Sequence, residues 1–409
     1  MKGKARSLII LAAILLLVAF FSKCIDFGRS KTKDPRGENY IGSSSCRQCH
    51  QSIYDLYLTN PHYHATAPTT KKTLLGSVEP GKNTFAFNTD EKIQIEERDS
   101  GFYQVAYKKG KEVKVHRLDI TFGIKNAQTF LFWEGKKTYE HPVSYYTSIN
   151  GWASSPGYSS TEINFSRFIG KDCFECHSSY IESRITLTNS GKSEELDKKS
   201  LIYSIDCERC HGPGTNHVNF HLAYPDEKKA KYMVDFKTLS RQQKLDMCAV
   251  CHSGNDRSKV RTPFAFTPGD TLENFYLPEF YSSKTSQPDV HGNQYQLLKE
   301  SECFVKSSIL ECSSCHSSHK KESSNLELHS QKCISCHSMP NHIECALTGT
   351  LGAAITQNCI DCHMPKQISK SISFRMAGQS SASPYLLRTH KIAVYPEEAE
   401  KIIAFLKSK

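Results

Sequence analysis

Cys207-Glu208-Arg209-Cys210-His211-Gly212-Pro213-Gly214-Thr215-Asn216-His217 is the stretch whose reading decides the architecture. Two cysteines at i and i+3 share one face of a helical turn, so both thiols can form thioethers to one porphyrin edge. The histidine that follows comes round to the iron as the proximal ligand, which is the attachment pattern of haem c. The same pattern recurs at Cys46/Cys49/His50, Cys173/Cys176/His177, Cys248/Cys251/His252, Cys312/Cys315/His316, Cys333/Cys336/His337 and Cys359/Cys362/His363. Zinc sites pair one Cys-x-x-Cys with a second Cys or His pair and do not require a histidine after every second cysteine. Seven such copies exclude zinc and predict seven covalently attached haem c groups.

Cysteine usage locates the chain. Fourteen of the 17 cysteines belong to the motifs. Of the rest, Cys303 and Cys345 read either as a disulfide, which an oxidising compartment permits, or as two buried thiols. Cys24 follows an export signal: Lys2, Lys4 and Arg6, then an apolar run from Leu8 to Phe21. That run is shorter than the roughly 20 residues of a membrane span and fits a signal h-region. Phe21-Ser22-Lys23-Cys24 makes Cys24 a lipidation candidate, although Lys23 is a poor residue before a lipidated cysteine. An uncleaved signal anchor and plain cleavage are the alternatives. All three export the chain to the periplasm or the outer surface, and the first two attach it to a membrane at its N-terminus.

The formal net charge is +10. Four of the basic residues lie in the leader, and each haem brings two propionates for which lysine and arginine are natural partners. No dense basic run is interleaved with aromatics, so a nucleic-acid partner is not expected.

In order, the chain reads as a signal (1–23), a polar tether (24–40), a first haem module (41–67) and a β-rich subdomain (68–165). Haem modules two to four with a connector (166–300), modules five to seven (301–395) and a C-terminal amphipathic helix (396–409) follow. The β-rich insertion is read from Thr84-Phe85-Ala86-Phe87, Lys92–Glu96, Phe102–Tyr107 and Glu112–His116, separated by turn residues such as Lys109-Gly110-Lys111, as a meander of four to six strands. From Ser166 onward the expectation is helix and loop, with polar helical segments at Glu194–Leu201 and Leu239–Asp246. The fold class is therefore α+β with little regular secondary structure, a helix and loop haem core holding a small antiparallel insertion.

Eleven of the 18 histidines remain once the proximal ones are assigned. His319 lies three residues after His316, a span of about 10 Å at full extension, which cannot carry the chain round a porphyrin to the other face of the same iron. His319 therefore serves a neighbouring haem. His217, six residues after His211 across Gly212-Pro213-Gly214, is read the same way. The distal candidates are His64 (with His62 as its rival), His217, His291, His319, His342 and His390, with His329 and His221 as further candidates. His116 lies on a predicted strand and reads as a non-ligand. Met364, directly after His363, cannot turn back onto that iron.

The Cys207–His217 stretch resembles the signature of multihaem cytochromes with a cytochrome c-554 type domain. Tyr40-Ile41-Gly42-Ser43-Ser44-Ser45-Cys46-Arg47-Gln48-Cys49-His50, Cys312-Ser313-Ser314-Cys315-His316-Ser317-Ser318-His319 and Cys359-Ile360-Asp361-Cys362-His363-Met364-Pro365 are similar to that group too. The resemblance implies a mostly bis-histidine haem chain that passes electrons between a redox protein donor and an acceptor in the cell envelope. The wider superfamily includes nitrite reductases and hydroxylamine oxidoreductases. Their Cys-x-x-Cys-Lys motif is absent here, while a tyrosine-crosslinked haem is left open. The alternative function is thus reduction of a small nitrogen or sulfur oxyanion at one five-coordinate haem.

Overall fold

The computed structural model describes residues 34–408 except 124–125, 190, 255–256, 279–287 and 339–344. The expected signal and Cys24 lie outside the described residues, and so does His342. Among the described residues no helix is long and apolar enough to cross a membrane.

After α1 (Arg47–Tyr57) the chain enters eleven strands: β1 (Thr66–Pro68), β2 (Thr84–Ala86), β3 (Glu91–Arg98), β4 (Gly101–Lys108), β5 (Lys111–Arg117), β6 (Ile120–Phe122), β7 (Ala127–Glu134), β8 (Lys137–Glu140), β9 (Val143–Tyr146), β10 (Gly151–Ser154) and β11 (Phe168–Ile169). The antiparallel meander β2-β3-β4-β5 is the one the sequence pattern announces. Its β4–β5 hairpin turns through Lys109 and Gly110, both at positive φ (50° and 74°), the backbone of a primed turn matched to strand twist. A second sheet of seven strands runs β1-β6-β7-β8-β11, with β9 paired to β7 and β10 paired to β9. The insertion is therefore larger than a four- to six-stranded meander. Short strands such as β6 and β11 are too brief to show alternation in sequence.

Alternation explains the core between these sheets. Ile93 and Ile95 on β3, Phe130 and Phe132 on β7, and Leu118 between β5 and β6 point inward and are buried, with Trp152 and Phe165 closing the cluster. No motif cysteine or histidine belongs to that cluster, so this core stands on its own apolar side chains.

The remaining elements are α2 (Lys171–His177), β12 (Tyr180–Thr188), β13 (Gly191–Ile202), α3 (Cys207–His211), α4 (Thr215–Ala223), α5 (Arg241–His252), α6 (Gln294–Lys299), α7 (Glu302–Lys306), α8 (Leu326–His337), α9 (Thr348–Leu351), α10 (Cys359–His363), β14 (Lys366–Phe374), β15 (Ser383–Arg388) and α11 (Pro396–Lys407). Two expectations fail here. Glu194–Leu201 is not helical; it lies in β13, paired antiparallel with β12 through Arg184–Glu195 and Ser183–Leu196. Helix propensity of Glu, Leu and Lys yields to the pairing partner. The region after Ser166 also carries a second hairpin, β14–β15.

The end of the expected tether is docked as well. Arg36 reaches Asp34 (3.0 Å), Asp206 (2.8 Å) and Glu208 (3.0 Å) with its side chain 5% exposed. A charge so buried persists because each partner is present. Arg36→Ala leaves three carboxylates without their cation, and we expect a loss of about 3–5 kcal/mol in denaturant unfolding of the holoprotein. Phe130→Ala in the β core is expected to cost about 3–5 kcal/mol by cavity formation, while the visible haem spectrum stays unchanged. A spectral change would show that the β core and the haem sites are not separate.

Candidate haem-binding sites

Five of the motifs close a helix at their histidine, while the fifth is a short 3-10 turn over Cys312–Ser314. Helices α2, α3, α5, α8 and α10 all end on the motif histidine, and α1 kinks at His50 (φ −112°, ψ 39°). Side chains from outside fix the start of several turns. Asp206 accepts from Arg209 N at 3.0 Å, Asn358 from Asp361 N at 3.2 Å, and Ser240 from Gln243 N at 3.2 Å. Breaking the helix at histidine frees the imidazole to leave the helical face that carries the two thiols.

The imidazoles then meet in pairs drawn from distant parts of the chain. Ring centroids are 6.4 Å apart for His50 and His217, 5.9 Å for His211 and His319, 6.3 Å for His252 and His62, and 6.1 Å for His316 and His390. Two imidazoles bound to opposite sides of one metal, with bonds of about 2.0 Å and ring nitrogens about 1.1 Å from their centroids, place those centroids about 6.2 Å apart. All four pairs meet that spacing. Their planes are inclined by 20°, 20°, 68° and 35° in the same order. Direct ring stacking would bring them closer. The residues fit haem iron.

Burial supports the same ligand state. His62, His177, His211 and His390 are pushed down to about 4, first by burial and next by a neighbouring histidine: His252, His291, His319 and His316 respectively. A neutral imidazole is the form a metal binds. The second cause also brings out a fifth association, His177 with His291. Backbone carbonyls hold two rings by Nδ1, leaving Nε2 outward: His217 donates to Lys231 O at 2.8 Å and His363 to Ala393 O at 2.9 Å.

His217, His319 and His390 thus face proximal histidines of other motifs, and His291 lies beside His177. The structure sets His62, not His64, opposite His252; the His64 ring packs edge-on against Tyr63, 5.0 Å away. The sequence reading favours His64 over His62, and it is the placement of His252 that brings His62 forward. His329 shares a hydrogen bond from Nε2 with Ser323 O at 2.7 Å, and His221 packs 4.7 Å from His217. His116 and His141 lie in the β core, where His116 stacks on Phe132 at 3.8 Å.

Sequence reasoning passed over the residues between the paired cysteines. Glu175 is buried and takes Lys259 at 2.5 Å and Thr262 at 2.6 Å. Glu208 takes Arg36 together with the backbone N–H groups of Ile41 (3.1 Å), Gly42 (2.9 Å) and Gly214 (2.8 Å). Asp361 takes Arg388 at 2.7 Å. Three motifs are therefore anchored by an acid from inside Cys-x-x-Cys to a base elsewhere in the chain. The available signal was an acid at a position the haem chemistry itself leaves free. Cys303 and Cys345 are free thiols, not a disulfide. They serve different surroundings: Cys303 senses Cys336, and Cys345 lies near Cys362.

Residues 137–212 match the family model for cytochrome c554 and c-prime. That stretch runs from β8 through α2 to the end of α3, so it contains the second and third motifs. A crystal structure described as outer cell wall cytochrome OcwA is similar at a TM-score of 0.49 and 15% identity, covering 89% of this chain and 82% of that one. No curated protein matches the chain. With seven attachment motifs, two of them inside the c554-type match, the chain is a multihaem c-type cytochrome.

Proposed function

We propose that the chain is an electron-transfer protein holding seven haem c groups, mostly between paired histidines. It exchanges electrons with a redox protein donor and acceptor in the cell envelope. The observation that carries the reading is the set of four imidazole pairs at 5.9–6.4 Å. Haem supplies a one-electron iron couple, and ligation by two imidazoles gives a low-potential, low-spin centre.

The chain's own work is attachment, ligation and exclusion of other ligands. Each Cys-x-x-Cys turn would hold one haem by two thioethers, and the histidine that follows would bind its iron. At the four paired sites a histidine from a distant segment would be the second ligand, which would keep small molecules off the metal there. Export and a Cys24 membrane anchor complete the proposal, because covalent haem attachment belongs outside the cytoplasm. Tyr57, whose hydroxyl donates to Ile205 O at 2.6 Å, and Asn60, which donates to Lys320 O at 2.8 Å, tie the first module to the later ones. They hold the paired segments in register.

Carbon monoxide binding to the dithionite-reduced holoprotein tests the reading. The wild type is expected to take up no carbon monoxide at the four paired sites. His319→Ala should create one high-spin, carbon monoxide-reactive haem with the covalent haem mass unchanged, because Cys207 and Cys210 remain, and added imidazole should restore the low-spin spectrum. His62→Ala should behave likewise, whereas His64→Ala should leave every haem low-spin. If His319→Ala and His62→Ala bind no carbon monoxide, the pairing is wrong. If the wild type does so stoichiometrically at several haems, the reductase alternative replaces this one.

A further inference from the structure

Between α1 and β1 the chain passes through Asn60-Pro61-His62-Tyr63-His64, and Asn60 is buried at 2% exposure. Its side chain works in two directions. The Oδ1 oxygen accepts from His62 N at 2.8 Å, the bond of a turn closed by an asparagine two residues back. The Nδ2 nitrogen donates to Lys320 O at 2.8 Å and to Ser317 O at 3.3 Å. Only one orientation of the amide satisfies all three partners, since the carbonyls need a donor and the N–H an acceptor. One residue earlier, Lys321 N donates to Thr59 Oγ1 at 3.2 Å and repeats the join. His319 lies between the two carbonyls that Asn60 holds.

The other side of His62 is fixed by a second buried group. Ile205 N donates to His62 O at 2.9 Å, and Ser204 Oγ donates to Tyr63 O at 2.5 Å. Ser204 is a buried residue at φ 68°, in the left-handed region that non-glycine residues rarely adopt. Such a backbone persists where its surroundings hold it. Here Ser204 N donates to Thr66 Oγ1 at 3.0 Å, and Ser204 O accepts from Ser179 Oγ at 2.8 Å. The backbone of His62 is thus held at its N–H by Asn60 and at its C=O by Ile205.

We propose that Asn60 is a positioning residue for two axial imidazoles at once, His62 opposite His252 and His319 opposite His211. The role rests on the ligation reading above. A ligating imidazole keeps the orientation that the groups around it impose, and that orientation tunes the metal. The His62 and His252 rings are inclined by 68°, and those of His319 and His211 by 20°. One amide therefore carries the backbone of a crossed pair and of a near-parallel pair, and its loss is felt at both sites. Ser204 supports only the first of them, since its bonds reach Tyr63 and Thr66 and not the 317–320 segment.

EPR of the oxidised, fully haem-loaded protein tests this, because the anisotropy of a low-spin ferric signal follows the relative orientation of its two imidazoles. The signals lost in His62→Ala and in His319→Ala identify the two haems. Asn60→Ala is expected to shift both of those signals and leave the others in place, with the covalent haem mass unchanged. Asn60→Ser keeps an acceptor for His62 N but is too short for the 317–320 carbonyls, so only the signal lost in His319→Ala should move. Ser204→Ala should move only the signal lost in His62→Ala. A shift at every haem in Asn60→Ala, or at one or none, overturns the proposal. If Asn60→Ala does not fold, the other two variants decide it, and a shift at the wrong haem or at neither overturns it. Should His62→Ala and His319→Ala remove no low-spin signal, the ligation reading falls and takes the positioning role with it. Should they remove one each while Asn60→Ala moves nothing, the positioning role alone falls.

Discussion

One constraint governs the molecule: a turn that supplies two thiols and one imidazole to a planar group has no chain left to reach that group's opposite face. The second imidazole must therefore come from elsewhere. On the ligation proposed above it would come from far away: the rings of His217, His62 and His390 lie 6.4, 6.3 and 6.1 Å from those of His50, His252 and His316. Each pair would then join two distant segments in a part of the chain with short helices and modest apolar clusters. The β insertion follows the opposite logic, with buried Ile, Phe and Trp side chains and no motif residue in its core.

Closely packed motifs also need their backbone and charges satisfied. The buried acids Glu175 and Glu208 do this at the second and third motifs. Glu208 takes three backbone N–H groups and a guanidinium, so it joins the first haem module to the third motif. A carboxylate removed from water to this degree is stable only when its lone pairs are filled. Arg209 completes the arrangement by donating to Glu175 O and Pro263 O. The same residues that fix the turns therefore fix which motifs are neighbours.

Much of the site was legible because haem attachment needs particular residue types at fixed spacing. The inference that His217 and His319 belong to other motifs' irons needed only the length of the chain, and the structure sets them against His50 and His211. The meander at 84–117 was legible from alternation, and the terminal helix from its apolar stripe. What escaped depends on tertiary partners. Glu194–Leu201 has good helix formers but a strand to pair with. Arg36 reads as part of a polar linker until Asp206 and Glu208 are placed beside it. His62 and His64 differ by two residues after a proline, and only the position of His252 separates them. Cys303 and Cys345, the two cysteines left by elimination, could be read as a disulfide or as two thiols, and the fold leaves both free with different neighbours.

The central claim is that imidazoles from distant segments share one iron. Pulsed EPR of the oxidised holoprotein, prepared with nitrogen-15 histidine in an otherwise unlabelled chain, tests it most directly. The account predicts two histidine nitrogens coupled to the low-spin ferric centres. A single coupled histidine nitrogen at most of those centres would contradict it.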